Sequence, residues 1–165
     1  MNGIYLLMGS NLGDRLNNLS EAGRILEQKG VQLLRSSTIY ETEPWGIVEQ
    51  PKFLNVVLEV TTSASPEELL QKCLSAEEQL GRRREIKWGA RNIDIDILFY
   101  KNEIVRLAEL TIPHPGVIDR RFTLLPLYEL APNQIHPETN KTMGQLLDNM
   151  PDDQSCKRTE LHLAL

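Results

Sequence analysis

Cysteine is scarce in this chain: Cys73 and Cys156 are the only two in 165 residues. Neither belongs to a CxxC pair or to a Cys/His spacing that would hold zinc, which excludes a structural zinc site of the usual kind. Cys73 falls on the apolar stripe of an expected helix and reads as a small buried hydrophobe. Long apolar runs are also missing. No uninterrupted stretch is long enough to cross a bilayer. The start, Met1-Asn2-Gly3-Ile4, lacks the charged segment and apolar stretch of a secretory signal. A cytoplasmic location is the resulting expectation, and the glycosylation sequons at Asn18 and Asn140 then carry no meaning.

Several motifs are absent as well. There is no Gly-x4-Gly-Lys-Ser/Thr phosphate loop, no Gly-x-Gly-x-x-Gly after a strand and no Gly-x-Ser-x-Gly nucleophile elbow. Positive charge is in deficit, with 18 Lys and Arg against 23 Asp and Glu and a net charge of −5. That argues against wholesale binding to nucleic acid or to an anionic membrane. With hydrophobic residues at 41% and charged residues at 25%, the chain has the composition of an ordinary globular protein. Its length suits one domain with a real core, and no linker or repeat divides it.

The most informative segment that is present runs Trp88-Gly89-Ala90-Arg91-Asn92-Ile93-Asp94-Ile95-Asp96-Ile97-Leu98. Apolar residues alternate with Asp94 and Asp96, the pattern of a β-strand. Side chains two apart on a strand share a face, so the carboxylates stand side by side, roughly 7 Å apart at Cα. Anions that close repel unless a cation lies between them. Just upstream, Arg82, Arg83, Arg84, Lys87 and Arg91 gather within ten residues beside a single acid, Glu85. A charge run alone reads as a solvated loop. Next to the Asp pair it reads as a divalent-metal site that handles phosphate.

The flanking pattern predicts a βαββαβ order. Residues 4–8 form an apolar, buried strand, broken by Gly9-Ser10-Asn11. A helix follows, with Leu16, Leu19 and Leu26 at helical spacing, and it stops near Gly30. Residues 31–41 and 53–62 are extended, with a loop from Glu43 to about Pro51 between them. Ser65, Pro66 and Glu68 mark a capped helix start; Leu70, Cys73, Leu74 and Leu80 carry its stripe, and Gly81 ends it. The Asp-pair strand runs to about Tyr100. This is the α+β, ferredoxin-like arrangement: a four-stranded antiparallel sheet with both helices on one face. The rest reads as an extension. Leu110 to Gly116 is held irregular by its prolines, residues 122–130 and 143–150 are helical, and 151–165 is a flexible tail. The turn Gly9-Ser10-Asn11-Leu12-Gly13 reads either as a phosphate cradle or as an ordinary tight turn into a helix.

Taken together these pieces resemble one family, the 6-hydroxymethyl-7,8-dihydropterin pyrophosphokinases of folate biosynthesis. The resemblance spans residues 4 to about 130. It rests on the segment from Lys87 to Leu98, on Gly9-Ser10-Asn11, on Tyr40-Glu41-Thr42-Glu43-Pro44-Trp45-Gly46, on Gln50-Pro51-Lys52-Phe53-Leu54-Asn55 and on Pro113-His114. It implies a ferredoxin-like fold and a reaction that moves the terminal pyrophosphoryl group of ATP onto the pterin hydroxymethyl oxygen, releasing AMP. ATP is then a co-substrate and magnesium a cofactor, with two ions held by Asp94 and Asp96. Hard cations of this kind take carboxylate oxygens and keep several waters.

Further roles follow from the resemblance. Arg82 and Arg91 match phosphate-contacting arginines, a task that suits a planar, permanently charged group. Glu77, Arg84, Trp88, Ile97, Thr111, His114 and Arg120 match positions of the ATP site. Thr42, Pro44, Trp45, Phe53, Asn55, Trp88 and Phe122 match the pterin pocket, where aromatic faces and an amide suit a flat, hydrogen-bonding bicycle. As a bare helical residue, Glu77 reads instead as solvated surface. His136 and His162 read as structural. Phe53 stands where the family often has Tyr, which drops a hydroxyl contact and keeps the stacking. Glu43 stands where a Pro or small residue occurs, and Glu109, where a basic residue occurs, is expected to point outward.

The mechanism implied is in-line attack by the pterin hydroxyl on the β-phosphorus, with no nucleophilic side chain. Two competing readings remain: a metal-dependent nucleotidyltransferase, which also uses Asp-x-Asp, and a non-catalytic ferredoxin-like ligand-binding module. Small-molecule substrates, no nucleic-acid or membrane partner and a monomer complete the expectations.

Overall fold

The computed structural model describes residues 2–44, 49–81, 92–150 and 156–164. Strand β1 (Ile4–Ser10) is buried along its whole length, as its apolar run requires. Helix α1 (Arg15–Gln28) is capped by the Asp14 side chain, which accepts from Asn17 N. Gly30 follows it at φ 85°, the left-handed region that favours glycine. Next come β2 (Gln32–Ser36), β3 (Tyr40–Thr42) and β4 (Phe53–Thr61). Helix α2 (Pro66–Gln79) starts as its cap predicts, with Ser65 accepting from Glu68 N and Pro66 in the first turn. The Asp-pair strand is β5 (Asp94–Tyr100). A small hairpin, β6 (Val105–Arg106) and β7 (Thr111–Ile112), precedes α3 (Arg121–Leu130), α4 (Met143–Asp148) and β8 (Cys156–Arg158).

The main sheet runs β5-β1-β4-β3-β8, with β2 also paired to β4, and every pairing is antiparallel. The β1 to β5 core therefore has the ferredoxin-like order. Its helices lie on one face, where Ile4, Leu6, Met8, Val56, Leu58, Ile95 and Ile97 pack on Leu19, Leu26, Leu69 and Cys73. The stripe of α2 is shifted from its expected line. Leu69, Cys73 and Ala76 are buried, whereas Leu70, Leu74 and Leu80 are only half-buried. Cys73 is fully enclosed, and burial pushes its thiol up to about 12.

Three expectations change. The extended segment 31–41 is not one strand. At its break the Ser37 hydroxyl accepts from Val57 N at 3.0 Å, and Thr38 N donates to the Glu129 carboxylate at 2.8 Å. One backbone bond remains, Ser37 N to Val57 O at 2.9 Å, and side chains supply the rest. Secondly, the region after Tyr100 is not an appendage. Helices α3 and α4 cover the other face of the sheet, where Tyr5, Leu7, Val57 and Phe99 pack on Leu124, Leu127, Met143 and Leu146. The sheet is thus the middle of three layers. Pro126 is accommodated inside α3. Thirdly, Cys156–Arg158 does not hang loose as a tail but forms the edge strand β8, pairing Tyr40 with Arg158 and Thr42 with Cys156.

Glu129 ties α3 to this edge. It accepts from the Thr38 hydroxyl and the Tyr40 hydroxyl, each at 2.8 Å, as well as from Thr38 N. Partial burial would raise its pKa, but these donors and Arg158 outweigh that and hold the carboxyl below its usual value.

Candidate active site

At one end of the α3 face of the sheet, polar side chains and a glycine interrupt the apolar surface. On β5, Ile95 and Ile97 turn into the α1–α2 core, which leaves Asp94 and Asp96 on the opposite face. Across the sheet, Asp94 pairs with Gly9 on β1, Gly9 with Asn55 on β4 and Asn55 with Tyr40 on β3. Helix α3 brings Arg120, its N-cap residue, and Phe122, in its first turn, to that row. The result is a cleft lined by Leu7, Gly9, Thr42, Glu43, Phe53, Asn55, Asp94, Asp96, Arg120 and Phe122. Seven of the residues expected from sequence meet here: Thr42, Phe53, Asn55, Asp94, Asp96, Arg120 and Phe122.

Asn55 and Thr42 are both buried, and Asn55 Nδ2 donates to Thr42 Oγ1 at 2.7 Å. The Arg120 guanidinium carbon lies 6.0 Å from the centre of the Phe122 ring, at the outer limit of a cation–π contact. Arg120, expected at the ATP site, thus shares the cleft with the residues expected for the pterin.

A second cleft lies on the outer side of β5. Asp96, Ile97, Thr111 and His114 line it, with Leu70, Ile95, Ala108, Glu109, Leu110 and Pro115. Asp96 lines both clefts; Asp94 lines only the first. Glu109 is exposed at the rim.

His114 is anchored by its backbone N–H, which donates to Leu98 O at 3.0 Å. Its Nδ1 accepts from Gly116 N at 2.9 Å, so the neutral ring carries its proton on Nε2. That nitrogen lies 3.9 Å from Asp96 Oδ2. Burial, and then the Arg120 charge, push the His114 pKa down, against an opposing pull from Asp94 and Asp119. At neutral pH the ring is therefore a neutral donor beside the carboxylates.

Glu77 is neither a solvated surface residue nor part of either lining. It is 2% exposed, on the buried side of α2, and accepts from Ile95 N at 3.0 Å. Strand β5 is a sheet edge, so this amide points away from β1 and needs such a partner. The bond fixes the backbone midway between Asp94 and Asp96. Replacing Glu77 with Ala should lower stability by about 1–3 kcal/mol, the cost of leaving a buried amide without its acceptor. Gln should recover most of that loss, and urea unfolding of the three proteins reads both.

The Gly-Ser-Asn turn is built for structure. Ser10 and Asn11 are buried; Asn11 Nδ2 donates to Gln50 Oε1 at 2.9 Å and to Pro51 O at 3.0 Å, and Ser10 Oγ accepts from Asn18 Nδ2 at 3.2 Å. The turn thereby fastens the Gln50-Pro51 loop that leads into Phe53. Pro44 is half-buried beside the first cleft without lining it. Trp45, Arg82, Arg84, Trp88 and Arg91 lie outside the described residues. Leu7 and Gly9 were not anticipated as cleft residues, although their two-residue alternation with Tyr5 along β1 was available as a signal.

Among the described residues, no group of three His, Cys, Asp or Glu side chains comes together as a metal cage. No helix among them is long and apolar enough to cross a membrane.

A model of the 7,8-dihydro-6-hydroxymethylpterin-pyrophosphokinase (HPPK) family matches residues 5–132, more than half of the chain. The chain belongs to this family. As an HPPK-family member it is a pyrophosphokinase, an enzyme of the transferase class. It is 44% identical over 142 residues to the 2-amino-4-hydroxy-6-hydroxymethyldihydropteridine pyrophosphokinase of Aquifex aeolicus, an alignment covering 86% of this chain and 88% of that protein. It is 43% identical over 133 residues to the enzyme of the same name from Bacillus subtilis, covering 79% and 80%. The fold is similar to that of Plasmodium falciparum HPPK-DHPS wild type solved with SDX-DHP, at a TM-score of 0.68 and 18% identity. There the match covers 90% of this chain but only 43% of the solved one, and it speaks for HPPK-type fold alone.

Proposed function

We propose that this chain transfers the terminal pyrophosphoryl group of ATP to the hydroxymethyl oxygen of 6-hydroxymethyl-7,8-dihydropterin, releasing AMP, as a step in folate biosynthesis. The observation that carries this reading is a shared wall. Asp96 lines both clefts, one carrying Phe53, Asn55 and Phe122, the other Thr111 and His114. A transfer between two bound substrates needs two such recesses that meet at the charged centre. The family membership and the names of the relatives above support the same chemistry.

In this reading the first cleft takes the pterin. Phe53 and Phe122 offer ring faces to the bicycle, and the Asn55 amide meets its mixed donor and acceptor edge. The second cleft takes the nucleotide, with Thr111 and the His114 Nε2–H turned toward it. Asp94 and Asp96 are the residues that would hold magnesium, for which we infer two ions. Paired hard oxygens, with no cluster of three His, Cys, Asp or Glu among the described residues, suit magnesium, which keeps several positions for water and phosphate oxygens. Held by these two carboxylates, magnesium would supply neutralisation of the charge on the phosphate groups.

Arg82 and Arg91 are assigned to phosphate oxygens, Arg84 to the ATP site and Trp88 to both the ATP and the pterin sites, on the strength of the family motif. The pterin hydroxyl attacks the β-phosphorus in line and AMP departs. No side chain forms a covalent bond, so catalysis is positioning and charge stabilisation.

The test is product analysis. The chain is incubated with ATP, magnesium and the hydroxymethyl pterin, and nucleotides are resolved by chromatography. AMP is expected only when all three are present, and a chelator should abolish it. ADP would mean a simple kinase. Pyrophosphate release would favour the nucleotidyltransferase reading, and binding without turnover the ligand-binding module.

A further inference from the structure

Gly9 is the one position in the row Asp94–Gly9–Asn55–Tyr40 that carries no side chain. It is buried, is the next-to-last residue of β1 and does not use the left-handed region, so backbone freedom is not the reason for a glycine there. Space is the reason. A Cβ built on Gly9 would stand 2.6 Å from Asn55 Oδ1 and 3.4 Å from Phe53 Cδ1. The first distance is a collision; the second is ordinary contact. The Asn55 amide thus leans across β1 and rests over the bare backbone of Gly9. On its other side Nδ2 is held by Thr42 Oγ1 at 2.7 Å.

We propose that Gly9 and the Thr42 hydroxyl are positioning residues that together set the Asn55 amide in the first cleft, and so determine selectivity for a flat, hydrogen-bonding ring. This rests on the reading of that cleft as the pterin site. Two consequences follow from the geometry. The amide has one of its two polar ends, Nδ2, engaged with Thr42, so Oδ1 is the end presented above Gly9. The second Nδ2 hydrogen remains beside Oδ1, so the ring edge the amide selects offers an N–H donor next to an acceptor, and an analogue lacking either is disfavoured. Gly9 also separates Asn55 from Asp94 by one strand on either side, about 5 Å each. The bare floor therefore lies between the amide that grips the ring and the carboxylates proposed for the phosphates, where the linking hydroxymethyl group has to pass.

The experiment is steady-state AMP formation by wild type, Gly9→Ala, Asn55→Ala and the double variant, with each substrate varied in turn. Wild type that forms no pterin-dependent AMP would overturn the proposed function itself. With wild type active, Gly9→Ala should raise the pterin KM about tenfold, the worth of one displaced hydrogen bond, and leave the ATP KM within twofold. In the Asn55→Ala background the same change should add less than twofold, because the group it displaces is already gone. An equal effect in both backgrounds, or an unchanged pterin KM in Gly9→Ala, would overturn the inference. If Gly9→Ala does not fold by circular dichroism, Thr42→Val decides. It should raise the pterin KM several-fold with the ATP KM unchanged, and Thr42→Ser should restore it; a pterin KM unaffected by Thr42→Val would overturn the inference.

Discussion

Alanine in place of Asp94 or Asp96 is expected to reduce turnover by about two to three orders of magnitude in either variant, the scale on which removing one charge-stabilising group from a phosphoryl- or acyl-transfer site acts. Both side chains stand at the start of an edge strand whose backbone Glu77 holds from behind. Neither is needed by the core: they are half-buried, facing the clefts. Stability should therefore not follow activity. Neither side chain is packed into the core, so melting of the metal-free variants is expected to stay close to that of wild type. The two substitutions should also differ. Asp96 borders both clefts and Asp94 only the first, so Asp96→Ala should weaken ATP binding more. Initial rates at saturating magnesium, together with nucleotide affinity, read these effects. Activity held within a few-fold of wild type in both variants would remove the paired-carboxylate metal site.

Phe99→Ala is expected to cost about 3–5 kcal/mol of stability, as for a large aromatic cut from a closed core. Phe99 is fully buried between the sheet and α3, packed with Leu124 and Leu127. Its ring meets His136 edge-on at 5.7 Å and 80°. For a domain of this size the melting temperature should fall by on the order of 10 °C. The value discriminates between architectures. In a two-layer ferredoxin-like sheet, Phe99 would lie on an open face, and its loss would cost no more than about 0.5 kcal/mol, as at ordinary surface positions. A small effect in chemical denaturation would contradict the third layer.

The local features were legible in the sequence because each depends on neighbours along the chain. The start of α2 needed only Ser65, Pro66 and Glu68. The facing of Asp94 and Asp96 needed only the two-residue period of a strand, and the buried run of β1 only its apolar composition. The order of these elements was enough for the β5-β1-β4 core with its two helices on one face.

What the tertiary structure decided depends on residues far apart in sequence. Glu77 looked like any charged helical residue, and only the docking of α2 on the edge strand turns it inward, toward an amide 18 positions away that would otherwise be unsatisfied. The split between β2 and β3 was hidden because its cause, Glu129, sits 91 positions from Thr38. Helix α3 announced itself by its own pattern, but not the face it would cover. That choice was set by Tyr5, Leu7, Val57 and Phe99, an apolar surface that no local period distinguishes from an ordinary buried strand. Sequence by itself determined the family motif, the core order and the carboxylate pair. Tertiary packing decided that the pair would border two clefts, that Gly9 would be the floor between amide and carboxylate, and that β8 would close the edge. Hydrophobic burial and the demand that every buried amide find a partner act in space, whatever the separation along the chain.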